Sequence, residues 1–207
     1  ELHFCGNQSW KSLFELQHTK YFQQTVWLDK FKFKTSLSYR YQFLKNIYQQ
    51  GYDIVINPTF SRAKRVDDGI VKAVKAPSNI GMKRNNENYA VYENGFDKNL
   101  YQILFTENTK PIFEWYRNKK FVEFLINKNI EIDFAIDTSA IQSNILQQLP
   151  DNYFVVFPGS RSKLRIWSTE NFITTSNYLF DKSKSTAIVC GSQSDAEYAE
   201  AFCRVYQ

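Results

Sequence analysis

Short apolar runs alternate along the chain with longer segments whose apolar residues recur at helical spacing. The first half holds strand-like runs at residues 2–6, 25–28 and 52–57, and the last of these is typical of a buried parallel strand. Residues 36–50 carry apolar side chains every three to four positions, and Gly51 follows where a helix C-cap belongs. This pattern predicts strands joined by helices.

The pattern continues with a predicted helix at residues 61–73, for which Ser61 is the expected N-cap. Residues 83–106 are polar and predict a loop with short elements. A further helix is expected from near Thr109, followed by an extended, alternating pattern at 132–136.

The second half repeats the strand and helix alternation. Strand-like runs lie at 153–157 and 186–190. Each is followed by a helix, the first capped by Ser168 and the second opened by a capping box over residues 194–197.

Strands alternating with helices define an α/β fold. We predict two Rossmann-like, doubly wound lobes, the second incomplete, with the polar stretch 137–152 as their boundary. The predicted domains are residues 1–140 and 150–207.

The amino-acid composition excludes several classes of protein. The 207 residues are 43% hydrophobic, which excludes a disordered chain, and no apolar run is long enough to span a bilayer. Only seven glycines are present, and neither glycine-rich phosphate-loop motif occurs. The net charge of +5 favours anionic partners. Three unpaired cysteines, which we expect to be core thiols, favour a cytoplasmic protein.

A basic segment after the strand at 153–157 predicts an anion site. Ligands of open α/β sheets bind beyond the carboxyl ends of the strands, and helix N-termini favour anions. The segment begins with a Pro-Gly turn and combines hydroxyl groups with cations that suit a diphosphate, namely Gly159, Ser160, Arg161, Ser162, Lys163 and Arg165. A solvated basic loop is the equally open alternative.

The next strand ends in a second turn that contains Gly191, Ser192 and Asp195. Its glycine allows the backbone to approach a ligand closely, although Ser194 and Asp195 are more typical of helix caps. His3 and His18 have no acidic partner in a motif, and no spacing suggests a metal site.

These two turns carry a resemblance to a known family. The runs FPGSRSKLRIWSTENF and TAIVCGSQSDAEYAEAF resemble the start of the C-terminal domain of glycosyltransferase family 9, the heptosyltransferases of lipopolysaccharide core assembly. Pro158, Gly159, Trp167 and Gly191 match that pattern, and Arg165 falls near its basic position. The segment GYDIVINPTFSRAKRV…NIGM also resembles the family, with Ser61, Arg62 and Gly81 as its nearest matches.

The resemblance implies a GT-B-type enzyme that transfers a heptose or related sugar by an inverting, metal-independent reaction. The donor, an ADP-heptose-like nucleotide sugar, would meet Arg165 and its neighbours through its diphosphate. Gly191, Ser192 and Asp195 would lie on its nucleotide side. Ser61 and Arg62 would face a lipopolysaccharide or glycolipid acceptor, with peripheral contact to the inner membrane. No further cofactor is expected.

Two parts of the family pattern are missing. The catalytic base is expected upstream of residue 1, and a later donor-site segment is expected beyond residue 207, so the chain is predicted to be the middle of an enzyme and inactive alone. Departures at Asn57, Ser168 and Ser192 keep a non-catalytic scaffold of the same fold open. A basic nucleic-acid-binding module is less favoured, because the aromatic residues follow predicted core positions.

Overall fold

The computed structural model describes residues 1–84, 99–107, 112–132, 147–160 and 162–206. Several predictions fall wholly or mostly outside these ranges, namely the loop at 83–106, the strand at 132–136, the boundary at 137–152 and Arg161.

The chain divides into two compact units, Glu1–Thr138 (unit 1) and Ser139–Gln207 (unit 2). All strand pairs among the described residues are parallel, and helices follow the strands in both units. The predicted α/β class is confirmed.

The first part of unit 1 confirms the predicted strands and helix and adds two helices that the pattern did not predict, at Lys11–Gln17 and at Lys30–Thr35. Asp29 caps the second of these by accepting a hydrogen bond from the Lys32 backbone N–H at 2.9 Å, and Phe33 anchors that helix in the core. The elements are β1 (His3–Asn7), α1 (Lys11–Gln17), β2 (Gln24–Leu28), α2 (Lys30–Thr35) and α3 (Leu37–Tyr48). Gly51 has the positive φ expected after a helix end.

The second part of unit 1 corrects three predictions. Ser61 is no helix cap, because a π-helical turn begins at Lys64 with Ala63 before it. A strand that the pattern missed follows, and the helix expected from Thr109 begins at Glu114. The elements are β3 (Ile54–Asn57), the π-helical turn (Lys64–Asp68), α4 (Gly69–Val74), β4 (Ser78–Met82), β5 (Ile103–Phe105) and α5 (Glu114–Ile126).

The described strands of unit 1 form two parallel sheets, of order β1-β2 and β3-β4-β5. One apolar cluster packs α2, α3 and α4 against the side chains of Val26 and Leu28 on β2 and Val55 on β3. The predicted burial of β3 on both faces is wrong. Ile54 and Ile56 point away from this cluster and are 56% and 47% exposed.

Unit 2 pairs two parallel strands, each followed by a helix. Ser168 caps the first helix as predicted, accepting the Asn171 N–H at 3.3 Å. The capping box lies two residues earlier than predicted and joins Ser192 to Asp195. The elements are β6 (Tyr153–Val156), a 3-10 turn (Lys163–Arg165), α6 (Thr169–Ser183), β7 (Thr186–Val189), a 3-10 turn (Gln193–Asp195) and α7 (Ala196–Val205).

Every helix in the described part of the chain is too short or too polar to cross a bilayer. The cysteines depart from the expected core positions, since Cys5 and Cys203 are exposed and Cys190 is half-buried.

Candidate functional site

The two glycine turns of unit 2 meet at one side chain. Gly159 follows β6 and Gly191 follows β7, and parallel strands end at the same edge of their sheet. A methyl group on Gly159 would overlap the Asp195 carboxylate, and one on Gly191 would lie 3.0 Å from the Asp195 Cβ. The structure therefore brings three of the predicted donor-side residues together, and Gly159 has no room for a side chain because Asp195 fills the space.

Asp195 is held as a carboxylate by the turn that it caps. Its Oδ2 accepts the Ser192 backbone N–H at 2.8 Å and the Ser192 hydroxyl at 2.6 Å. These two hydrogen bonds lower the pKa of Asp195. A fixed negative charge at this point favours a hydroxyl donor, such as a ribose, over a phosphate.

The predicted cations Lys163 and Arg165 follow Gly159 in sequence and face solvent. Lys163 and Arg165 are exposed within the 3-10 turn, and Leu164 between them is 98% exposed. The Ser160 hydroxyl accepts the Ser162 N–H at 3.5 Å. Trp167 packs edge-on against Phe172, so the segment is tied to the first turn of α6.

In unit 1, Arg62 lies in a fully buried polar network. Its Nε donates to Asp68 Oδ1 at 2.7 Å, its Nη1 donates to the Met82 carbonyl, and both charged side chains are 0% exposed. Tyr101 donates its hydroxyl to the same Asp68 oxygen at 2.7 Å and accepts from Asn57 at 2.8 Å. The predicted acceptor role of Arg62 stays a prediction, and the geometry favours positioning of the loop after β3.

Sequence reasoning missed the partners of Arg62. Burial and the Asp68 carboxylate both raise the pKa of Tyr101, so the phenol stays a hydrogen-bond donor. Asp68 and Tyr101 are 33 positions apart, and no local pattern joins them. The one available signal was the unusual Arg-Ala-Lys-Arg-Val-Asp-Asp run, whose two carboxylates follow two arginines.

Ser61 is exposed on a cavity of about 340 Å³ within unit 1. The cavity lies beyond the carboxyl ends of β1 and β3, because its walls come from the segments that follow those strands and from α5. The exposed Trp10 supplies an aromatic wall, and hydroxyl, amide and carboxylate groups supply the rest, so its lining is Trp10, Pro58, Thr59, Phe60, Ser61, Glu114 and Asn118. Such a mixture suits a polyhydroxylated ligand.

The two histidines have aromatic partners. His3 lies 3.1 Å from the Tyr52 hydroxyl, and the His18 ring meets the Phe14 ring edge-on. Within the described ranges, no group of three or more His, Cys, Asp or Glu side chains is placed to hold a metal ion.

The fold is that of the GT-B glycosyltransferases, with two Rossmann-like, doubly wound units of parallel strands and flanking helices. Solved structures of that architecture superpose on nearly the whole chain. One is a glycosyl transferase family 9 protein from Veillonella parvula DSM 2008, with a TM-score of 0.66 and 14% identity over 99% of this chain. Another is the Escherichia coli heptosyltransferase WaaC.

Two structures of WaaC with different bound ligands match this chain, each with a TM-score of 0.66 and 12% identity. The complex with ADP-2-deoxy-2-fluoro heptose is matched over 98% of this chain, and the complex with ADP over 99%. This chain spans only 57–63% of the length of these proteins. In sequence, the chain matches no family model and no curated protein.

Proposed function

We propose that the full-length protein is a family 9 glycosyltransferase. It transfers a heptose or related sugar from a nucleoside-diphosphate sugar to a lipopolysaccharide core or similar glycan, on the cytoplasmic side. The observation that carries this proposal is the convergence of Gly159 and Gly191 on Asp195 beside an exposed basic turn, in a fold shared with WaaC. WaaC has been solved with ADP and with an ADP-heptose analogue.

On the donor side, two turns of unit 2 bind different parts of the nucleotide sugar. Asp195 accepts a hydrogen bond from the nucleoside, and Lys163 and Arg165 contact the diphosphate. The acceptor hydroxyl attacks the anomeric carbon as the diphosphate leaves, and the two cations neutralise the charge that develops on the leaving group.

On the acceptor side, the proposal uses the cavity that includes Ser61. Its exposed Trp10 offers a flat apolar face for a sugar ring, while Glu114 and Asn118 offer hydrogen-bonding groups. Arg62 holds the loop that bears Ser61 through its buried bonds to Asp68 and to the Met82 carbonyl.

The test is ADP binding by the full-length protein, measured by isothermal calorimetry, with the variant Arg165→Glu. Loss of a charged hydrogen bond costs about 1.5–3 kcal/mol, so the dissociation constant should rise by about tenfold to a hundredfold. Lys182→Glu is the matched control, because Lys182 is an exposed cation in the last turn of α6 and should leave ADP binding unchanged.

Equal ADP affinity in Arg165→Glu and the parent protein would remove the diphosphate assignment. ADP binding without sugar transfer, across a panel of donors and acceptors, would instead identify a non-catalytic relative of the same fold.

A further inference from the structure

Unit 1 contains a second cavity, which shares no residue with the cavity that includes Ser61. Its volume is about 500 Å³, which is within the range of small-ligand sites. One wall is formed by residues 24–27 of β2, and the other by one side of α3 and the two residues that follow it. We call it the β2–α3 cavity.

The β2–α3 cavity follows the edge of β2 rather than one of its faces. Successive side chains of a strand point to opposite faces, yet the four consecutive residues 24–27 all line the cavity. β2 pairs with β1 along its other edge, and no other described strand pairs with it. Alternate backbone N–H and C=O groups of β2 are therefore directed at the cavity, where they can bind a ligand.

The opposite wall is a row of side-chain amides. Gln42 and Asn46 are one helical turn apart on α3, and Gln49 and Gln50 continue the row. All four are exposed, and Gln24 contributes a fifth exposed amide from β2. Each of these amides carries both donors and an acceptor, so each can bind a hydroxyl group in either direction.

Two of the amides are oriented by a hydrogen bond between them. Gln42 Nε2 donates to Asn46 Oδ1 at 2.8 Å. The pair thereby presents the Gln42 oxygen as an acceptor and the Asn46 nitrogen as a donor. An acceptor and a donor held side by side match two neighbouring hydroxyl groups of a sugar ring, because each hydroxyl can both donate and accept.

The base of the cavity is apolar and fixed in the core. Phe43 and Ile47 are 8% and 4% exposed and belong to the apolar cluster of unit 1. Tyr39 stacks on Phe43 with ring centroids 6.1 Å apart, and its hydroxyl accepts the Asp29 backbone N–H at 3.0 Å. Tyr39 is half-buried, so part of its ring is available to pack against the C–H face of a sugar.

The absence of charge from this lining selects the ligand class. None of the residues that line the β2–α3 cavity is charged, although 23% of the chain is charged and its net charge is +5. A phosphate, a carboxylate or an ammonium group would find no ion-pair partner among these residues and would lose hydration without compensation. A neutral ligand rich in hydroxyl groups can hydrogen-bond to both walls.

We propose that the β2–α3 cavity binds an uncharged oligosaccharide. The sugar lies between the edge of β2 and the amide row, with one ring packed against Tyr39. An extended peptide that paired with the edge of β2 would use its backbone on that wall alone, and it would leave the amide row to its side chains. The site has no residue in common with the proposed donor and acceptor sites, so it is a binding site beyond the transfer reaction.

NMR titration of the full-length protein tests the ligand class. The neutral probes are maltotriose and N,N′-diacetylchitobiose, and the charged probe is trigalacturonate. We expect at least one neutral probe to shift the side-chain amide resonances of Gln42 and Asn46 in a saturable way. Trigalacturonate should bind at these resonances about tenfold more weakly or less. No shift with either neutral probe, or equal binding of trigalacturonate, would overturn the proposal.

A double variant locates the binding. Gln42→Ala combined with Asn46→Ala should raise the Kd of the neutral probe about tenfold or more, as followed on the backbone amides of β2, because two hydrogen bonds are lost. Asn177→Ala is the matched control, since Asn177 is an exposed amide within α6, and it should leave the Kd unchanged. Alanine favours a helix at all three positions. Unweakened binding by the double variant would overturn the proposal.

Two further measurements separate this site from the alternatives. If a neutral peptide of alternating threonine and valine shifts the β2 amides and neither sugar does, the cavity is a strand-pairing site and the proposal is wrong. Trp10→Ala should leave the Kd of the neutral probe unchanged, and a loss of binding in that variant would place the sugar in the cavity that includes Ser61, which also overturns the proposal. ADP titration of the same samples tests the transferase separately, because a protein that binds the neutral probe and not ADP would count against the transferase alone.

Discussion

The most constrained side chains of unit 1 are those of Arg62 and Asp68, which are both fully buried. A buried ion pair recovers its desolvation cost only when its remaining hydrogen-bonding groups are used. Here the Met82 carbonyl accepts from Arg62, the Tyr101 hydroxyl donates to Asp68, and the Arg62 guanidinium lies 4.8 Å from the Tyr101 ring centre. The network joins the loop after β3 to the end of β4.

Removing one charge of this pair should strongly destabilise the protein. Asp68→Asn removes the carboxylate that pairs with the buried Arg62 cation, and we expect a loss of about 3–5 kcal/mol in the free energy of unfolding. Urea unfolding of the full-length protein measures it. The exposed Asp53→Asn is the control and should change the free energy by less than about 0.5 kcal/mol. Equal effects of the two variants would show that the pair is not buried.

The raised pKa of Tyr101 predicts that the stability of the folded protein decreases at alkaline pH. Burial and Asp68 raise its pKa in the folded state, so the folded protein holds this proton more tightly than the unfolded chain. Its contribution is complete below the unfolded pKa of about 10 and decreases as pH rises above that value. Tyr101→Phe should therefore flatten the fall in stability above pH 10, as followed by thermal unfolding. An unchanged alkaline slope would contradict the assignment.

At the scale of elements, sequence patterns missed helix α2 and strand β4. Helix α2 has the alternating sequence Lys-Phe-Lys-Phe-Lys-Thr, which has a strand period, yet the Asp29 cap and the buried Phe33 make it a helix. Strand β4 contains Gly81, which weakens a strand pattern. A methyl group there would lie 2.7 Å from the Tyr101 ring, so the glycine is required by packing that no local pattern reveals.

The shifted capping box gives a prediction for unit 2. Both Ser192-x-x-Asp and Ser194-x-x-Glu fit the capping pattern in sequence, and the structure uses the first. Ser192→Ala should lower the free energy of unfolding by about 1 kcal/mol, because it removes the side chain that caps the helical turn. Ser194→Ala should have a much smaller effect, because its hydroxyl is exposed and bonds only the Ser192 hydroxyl. If thermal unfolding shows that Ser194→Ala is the more destabilising variant, the helix is capped by Ser194, as the sequence pattern predicted.

For the whole molecule, the sequence was sufficient for the fold class and for the turns where Gly159 and Gly191 end their strands. Those features depend on local periodicity and on turn residues. The burial of Arg62 and the exposure of Ile54 could not be predicted from the sequence, because both depend on which strands become neighbours. The roles of Lys163 and Arg165 in binding remain predictions, since they concern a ligand rather than the chain.

The exposed side of β3 has a consequence for self-association. Ile54 and Ile56 are 56% and 47% exposed on one side of the strand, and Ile103 on β5 of the same sheet is 42% exposed. Exposed apolar patches of this kind promote aggregation, so the polypeptide of residues 1–207 on its own should form oligomers in a concentration-dependent way.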